Sequence, residues 1–432
     1  MGLTFRAFNR TEIDLSFFLD DIDADLPSGR WVDVPAEIVY RFLLRDSGKD
    51  ILVDFGPGMI PLDGQKPWPH LLFATQINCV TGYGSAGIHL AKELNRLCDL
   101  SLYKISPLQW NNRYAGRTVQ RLMGKGPEDC EWGLGLVIPP ELPRIPTPRR
   151  ILYTMWELSE IPKGHLGEDP TIANWGKIVN NWAEAIIVPC EDQRQSWERG
   201  GVKTPIHVVP LGVDFATYRY RERPPRPDKP FTILVFGWLS SRKSPIETLI
   251  EVCWHGLRDR PDWKLILKSY GGVFGGGSFT PLVYDERVEM IDAHYTPKQM
   301  ADLCYQADVG ICLSKYEGFG LPFRQMMATG LPVIVSANSG HLEDCDPRYN
   351  IPIPTDSWMM VEPSMGEGGA KWAVPDWGLA AYELRRLYEQ WRDKGSRQLE
   401  IGTRAAKWIR QRRSWKTTAR KVAKIIGEYA NG

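Results

Sequence analysis

Two clusters in the second half of this 432-residue chain combine residue types and spacings that could do chemistry. The first is Glu317-Gly318-Phe319-Gly320, set directly before Leu321 and Pro322, with Gln325 further along the same segment. The apolar run VGICLS ahead of it reads as a strand. Pro322 suits the first turn of a helix, and Gly330 suits its stop. Such a loop delivers backbone N–H groups at a helix N-terminus, where they and the helix dipole favour an anion, and glycine lets a phosphate approach the backbone. A carboxylate beside an anion is repulsive unless it accepts hydrogen bonds from hydroxyls, so Glu317 fits a sugar hydroxyl better than a phosphate. The same spacing also serves a plain Gly-rich turn with a solvated glutamate. The second cluster is GWLSSRKSP, where Arg242 and Lys243 follow a strand end and would supply a phosphate contact, with Ser241 or Ser244 as a helix cap. An Arg-Lys pair on a loop is otherwise simply solvated.

The first half of the chain offers less specific candidates. TMWELSE places Trp156 and Glu157 at a strand end, where they either reach a ligand or pack and cap the next turn. TGYGSAG, with Gly82 and Gly84, reads as a Gly-rich turn ahead of the helix IHLAKELNRLC. FLDDIDADL carries Asp21, Asp23 and Asp25 at alternate positions, a spacing that can hold a divalent metal, but ahead of the α/β core it reads as an acidic surface turn. FGGGS at 274–278 has no following Lys-Ser/Thr and reads as a connection. KWIRQRRSWKTTARKVAK near the end is basic with interleaved tryptophans; Trp408, Ile409, Trp415, Ala419, Val422 and Ile425 form one apolar face, the mark of a packed helix pair with a solvated basic side.

Composition bounds what these residues serve. Apolar residues are 43% and charged residues 24%, a globular profile. Basic and acidic side chains number 53 and 52, so net charge favours no polyanionic partner. Eight cysteines contain no Cys-x-x-Cys pair, and seven histidines show no ligand spacing, so reduced thiols, no bound metal and a cytoplasmic, soluble protein are expected. The N-terminus lacks a signal-type apolar segment, and no run is long enough to span a membrane.

The elements that must position these residues alternate strand and helix. Residues 1–68 read as a small β-rich module, with β-type runs Ile38 to Leu44 and Ile51 to Phe55 around the turn Asp46-Ser47-Gly48. From residue 69 to about 215, strands such as HLLFATQINCV and AEAIIVPC alternate with helices, which implies a parallel sheet covered on both faces. FATYRYRERPPRPDKPF is Pro-rich and charged, and 216–229 within it reads as a linker. A second alternating series fills 230–410, and a final helix occupies 411–432. The expectation is two Rossmann-like α/β domains facing a cleft, with ligands at the carboxyl ends of the strands.

Taken together, SKYEGFGLPFRQMMATGLPVIVSANSG, ILYTMWELSEIP, IVPCEDQRQSWERGGVKTPIHVVPLGVD and VFGWLSSRKSP resemble the retaining nucleotide-sugar glycosyltransferases of GT-B fold, over roughly residues 70 to 430. The resemblance implies that Glu317 holds donor-sugar hydroxyls and that the backbone of Gly318, Phe319 and Gly320, with Leu321, meets donor oxygens. It implies that Lys243 neutralises the diphosphate, that Gly82 and Gly84 face the donor from the other domain, and that the last helix crosses back. The donor would be a UDP- or GDP-hexose; no prosthetic group is implied. Acceptor contacts would come from Glu157 and Trp156, and the acceptor would be a glycan, a lipid, a small molecule or a hydroxymethylated base in DNA. Two departures stand out. The family usually has a second glutamate for the ribose where this chain has Gln325, and an arginine where it has Trp238; Arg242 would be the replacement cation. These departures also fit a catalytically inactive sugar-nucleotide-binding protein.

Overall fold

The computed structural model describes residues 4–9, 15–19, 22–26, 31–35, 51–54, 60–61, 68–78, 81–105, 115–123, 130–163, 174–223, 228–237, 239, 246–269, 285–361, 369–393 and 396–430. Strands β1 (Thr4–Asn9), β2 (Leu15–Leu19), β3 (Ile22–Leu26), β4 (Trp31–Pro35), β5 (Ile51–Asp54) and β6 (Ile60–Pro61) open the chain. Four of them form an antiparallel sheet in the order β4-β1-β5-β6, and β2 pairs with β3 as a hairpin. Asp23 and Asp25 are therefore strand residues of β3 rather than part of a turn, since their register partners are Phe18 and Ser16. Asp21, the run at 38–44 and FGGGS at 274–278 lie outside the described residues.

The first α/β unit runs β7 (Trp68–Thr75), α1 (Gly82–Leu94), β8 (Cys98–Lys104), α2 (Gly116–Met123), β9 (Trp132–Leu136), β10 (Arg149–Tyr153), α3 (Trp175–Trp182), β11 (Ala185–Val188), α4 (Glu191–Arg199) and β12 (Ile206–Val208). The second runs β13 (Phe231–Phe236), α5 (Ile246–Leu257), β14 (Trp263–Ser269), β15 (Val288–Asp292), α6 (Pro297–Gln306), β16 (Val309–Cys312), α7 (Leu321–Ala328), β17 (Val333–Ser336) and β18 (Ile351–Ile353). Then come the hairpin β19 (Thr355–Met360) and β20 (Lys371–Pro375), and helices α8 (Trp377–Arg392), α9 (Ser396–Arg412) and α10 (Trp415–Ala430). Strands such as FTILVF and VGIC are buried at every position, as a sheet covered on both faces demands.

Both six-stranded sheets are parallel throughout. The first has the order β12-β11-β10-β9-β7-β8 and the second β15-β14-β13-β16-β17-β18. Each order reverses direction once, between β7 and β9 in the first sheet and between β13 and β16 in the second. Loops leaving adjacent strands there run to opposite faces and open a crevice at the carboxyl edge. The loop after β16 is the one that carries Glu317.

The chain passes between the units twice, and the two passages lie side by side. Val213 bridges Ser414, and the Val213 N–H donates to Arg413 O at 2.9 Å. A Cβ on Gly212 would sit 2.4 Å from the Trp415 nitrogen, so the close approach needs glycine. Beyond this, α10 packs into the core of the first unit through Trp415, Ala419, Val422, Ile425 and Ile426. The apolar face expected for this helix is thus buried, while Trp408 stacks on Tyr349 at 4.9 Å. The described start of the connecting segment is tied to the second unit: Arg223 donates to Ala307 O and Cys304 O, and Tyr305 donates to Arg219 O.

Candidate active site

The loop after β16 is fastened from behind. Arg324, on the first turn of α7, is fully buried and donates to Phe319 O, Gly320 O and Gly340 O. Its guanidinium also lies 3.6 Å from the centre of the Phe319 ring and pairs with buried Asp344. Asp344 in turn holds Arg413 at 2.6 Å, so one carboxylate joins the loop to the second passage between units. Burial alone would raise the Asp344 carboxyl, but the two arginines outweigh it and hold it below the ordinary carboxylate range. With the loop carbonyls drawn toward Arg324, the opposite side of the backbone is left for the cavity.

Gly320 begins α7 with φ 86° and ψ 61°, and no side chain caps it. A Cβ there would lie 2.4 Å from the His341 ring, so conformation and packing both require glycine. Gly318 approaches the first unit: its Cβ would meet Met155 Cβ at 2.9 Å and Trp156 O at 3.2 Å. Phe319 is 2% exposed and packs with Leu321 in the core of the first unit. The Glu317 N–H donates to Ser339 Oγ at 2.8 Å, its carboxylate accepts from Ser314 Oγ at 2.8 Å, and its carbonyl accepts from Gly340 N–H. Ser339 and Gly340 thus hold the backbone of this residue, and Ser314 holds its half-buried carboxylate.

The first unit answers with α1 and the end of β10. Thr81 caps α1, its Oγ1 accepting from the Gly84 N–H at 3.0 Å. Tyr83 OH donates to Met155 O and accepts from the Met155 N–H. Burial pushes the Tyr83 phenol up to about 12, so it stays protonated and serves as a fixed strut. Trp156 Nε1 donates to Glu160 O, and its ring meets Trp175 edge-on at 4.5 Å. These contacts pack the ring, while the residue also lines the cavity described below. Across the interface, Tyr316 OH donates to Asp192 at 2.6 Å and Cys190 Sγ donates to Gly318 O.

Between the units lies a cavity of about 460 Å3. Glu317, Gly318, Phe319, Gly320, Leu321 and Gln325 line it from one side; Gly82, Trp156 and Glu157 line it from the other. That volume suits a molecule of nucleotide-sugar size.

Against known proteins, residues 230–358 match the family model described as glycosyl transferases group 1. A curated relative, the GDP-mannose:cellobiosyl-diphosphopolyprenol alpha-mannosyltransferase of Xanthomonas campestris, is 26% identical over 156 residues, 35% of this chain and 40% of that protein. The match thus spans less than half the length of that relative. Among solved structures, sucrose-phosphate synthase from Thermosynechococcus elongatus superposes with a TM-score of 0.59 at 17% identity, covering 84% of this chain and all (100%) of the other. Anabaena HepE, solved with UDP-glucose, gives 0.57 at 14% identity, covering 83% of this chain and 99% of that one. A glycosyltransferase from Rickettsia africae gives 0.56 at 13%, with 85% and 100% covered.

This chain has the GT-B fold, and its residues 230–358 resemble the group 1 glycosyl transferases. Its expected site residues fall into three sets within that GT-B frame. Glu317 to Leu321 and Gln325 come together on the cavity wall. Gly82 faces the cavity with open space around it, whereas Gly84 is buried against the Asn78 side chain, 2.4 Å from where its Cβ would be. Arg242, Lys243 and Trp238 lie outside the described residues; Gly237 and Leu239, on either side of position 238, line the cavity. TGYGSAG, expected as a turn, is the first part of α1 itself, because its glycines let the helix lie close on the strand: a Cβ on Gly87 would meet Gln76 O at 2.4 Å.

Sequence reasoning missed several residues of this GT-B site. Arg324 reads as a solvated helix position, and only its fully buried environment reveals it. Lys268 stands near the end of the strand WKLILKS, directly after the apolar run Leu265-Ile266-Leu267, and a lysine in that place was the available signal. His89 stacks on Trp415 with ring centres 5.5 Å apart and lies 4.0 Å from Asp214. Burial, opposed by Asp214, lowers its pKa to about 4, so the imidazole is neutral. Among the described residues, no group of three or more His, Cys, Asp or Glu is placed to hold a metal, and no helix is long and apolar enough to cross a membrane.

Proposed function

We propose that this GT-B protein transfers a hexosyl group from a nucleotide sugar to an acceptor hydroxyl, with retention of anomeric configuration and without a metal. The observation that carries the reading is the loop from Glu317 to Gly320. It joins an oriented carboxylate to an uncapped helix start inside one cavity shared by both units. The carboxylate accepts from donor-sugar hydroxyls, and the backbone at the start of α7 meets the diphosphate. Lys243 and Arg242, a few positions after Gly237 in the sequence, neutralise the leaving group.

In the step itself the bond from the anomeric carbon to the phosphate oxygen breaks as the acceptor oxygen bonds to that carbon on the same face. The acceptor proton passes to the departing phosphate, so no enzyme nucleophile is needed. Glu157, beside Trp156 on the opposite wall, orients the acceptor. The donor is a UDP- or GDP-hexose. HepE was solved with UDP-glucose and the Xanthomonas relative is named for GDP-mannose and a diphosphopolyprenol-linked acceptor, which supports a glycan or lipid-linked acceptor here.

The test is thermal stabilisation and turnover with a panel of nucleotide sugars. A donor at a hundred times its Kd should add about 2.7 kcal/mol of stability. Glu317→Ala should lower turnover of that donor by about 10²–10³-fold without altering the fold. If no donor raises the melting temperature of the wild type, the assignment fails.

A further inference from the structure

We infer that Lys268 reads the base of the donor nucleotide, selecting uracil or guanine over cytosine or adenine. The inference rests on the donor site proposed above and assigns its far end. In the second sheet β14 is separated from β16 by β13 alone, so the ends of β14 and β16 lie about 10 Å apart at ordinary strand spacing. From Glu317 and Gly320 the cavity continues past Gly237 to Lys268, Ser269, His294 and Tyr295. A donor with its sugar at Glu317 and its diphosphate at the start of α7 therefore carries its nucleoside to the ends of β14 and β15.

What waits there is a buried cation. Lys268 is 4% exposed, on a sheet face that it shares with the buried Leu234, Phe236 and Ile266. Its ammonium donates to Ala293 O at 2.6 Å and to Ser269 O, and lies 4.8 Å from the centre of the Tyr295 ring. Packing alone would be met by methionine, without the cost of desolvating a charge. Burial lowers the ammonium's pKa, while nearby Asp292 supports its charge.

The chemistry of this corner is directional. An ammonium has three N–H donors, of which the two carbonyls take two, and each of those carbonyls has a second lone pair. A donor set beside an acceptor matches a base edge that places a keto oxygen next to a ring N–H. Uracil and guanine present that edge. Cytosine and adenine present an amino group beside a bare ring nitrogen, which leaves donor against donor and acceptor against acceptor.

Calorimetric titration of the full chain with UDP, GDP, CDP, ADP and inorganic pyrophosphate tests this. The tighter of UDP and GDP should bind at least about tenfold better than both CDP and ADP. In Lys268→Met that preference should shrink to about threefold or less, while pyrophosphate affinity stays within about twofold. Equal binding of all four nucleotides by the wild type overturns the inference and leaves the donor site standing. So does a preference that survives in Lys268→Met, or a parallel loss of pyrophosphate, which would put the lysine on the phosphates. Absence of any nucleotide binding to the wild type would remove the donor site itself. Should Lys268→Met fail to fold, the wild-type panel and Lys268→Arg, expected to keep the preference, decide the matter.

Discussion

Two helices start at the cavity with glycines around their first turn, α1 and α7, and they are built in opposite ways. At α7 the N-cap is Gly320 in a left-handed conformation, no side chain caps it, and a buried cation pulls the preceding carbonyls away from the cavity. At α1 the cap is Thr81, whose hydroxyl accepts the Gly84 N–H, and the glycines serve close packing on Asn78 and Gln76. One start carries no side-chain cap and the other is closed by a threonine. A glycine-rich stretch ahead of a helix therefore says little until the partners of its N–H groups are known.

The comparison can be broken most severely behind α7. Arg324→Met leaves Asp344 with only Arg413 and releases three loop carbonyls, so stability should fall by about 3–5 kcal/mol in denaturant titration. Replacing the glycines sharpens the contrast. Gly320→Ala must tolerate a positive φ and a ring 2.4 Å away, and should cost about 2–3 kcal/mol together with donor affinity. Gly84→Ala, pressed on Asn78, should lose stability while keeping donor affinity, and Gly82→Ala, with nothing within 4 Å, should change neither by more than a few tenths of a kcal/mol.

Acid separates the two helices as well. His89 on α1 is neutral when folded, with a pKa of about 4 against an ordinary 6.5. Between those values the unfolded chain binds the extra proton, so stability falls as pH drops from 6.5 to 4, by about 2–3 kcal/mol. Melting curves across that range should show the loss, and His89→Gln should flatten it. Asp344, held low by two arginines, yields only at more acid pH. The smallest effect is expected at Gln325, where Gln325→Glu should change nucleotide affinity only a few-fold, about 1 kcal/mol or less. An effect on the scale of Glu317→Ala would mean that the amide carries more of the donor than its place suggests.

Much of this arrangement is legible along the chain. Continuous apolar strands alternating with amphipathic helices announce two parallel sheets, and Glu317 with its glycines announces the loop, because both signals are local. Arg324 is not legible: its partner Asp344 is 20 residues on and Arg413 a further 69, and nothing in LPFRQMM marks a fully buried guanidinium. Gly84 and Gly320 look alike as letters. Their difference lies in what a Cβ would strike, Asn78 in one case and His341 in the other.

By itself, then, the sequence determined the element types, their alternation and the short loops where strand ends could meet a ligand, since periodicity and turn chemistry act over a few residues. Only the tertiary structure decided which of those loops is open. That depends on buried charge shared among Arg324, Asp344 and Arg413, and on helix starts either capped or left bare. Such terms arise when distant segments exclude water together, and no spacing along one segment encodes them.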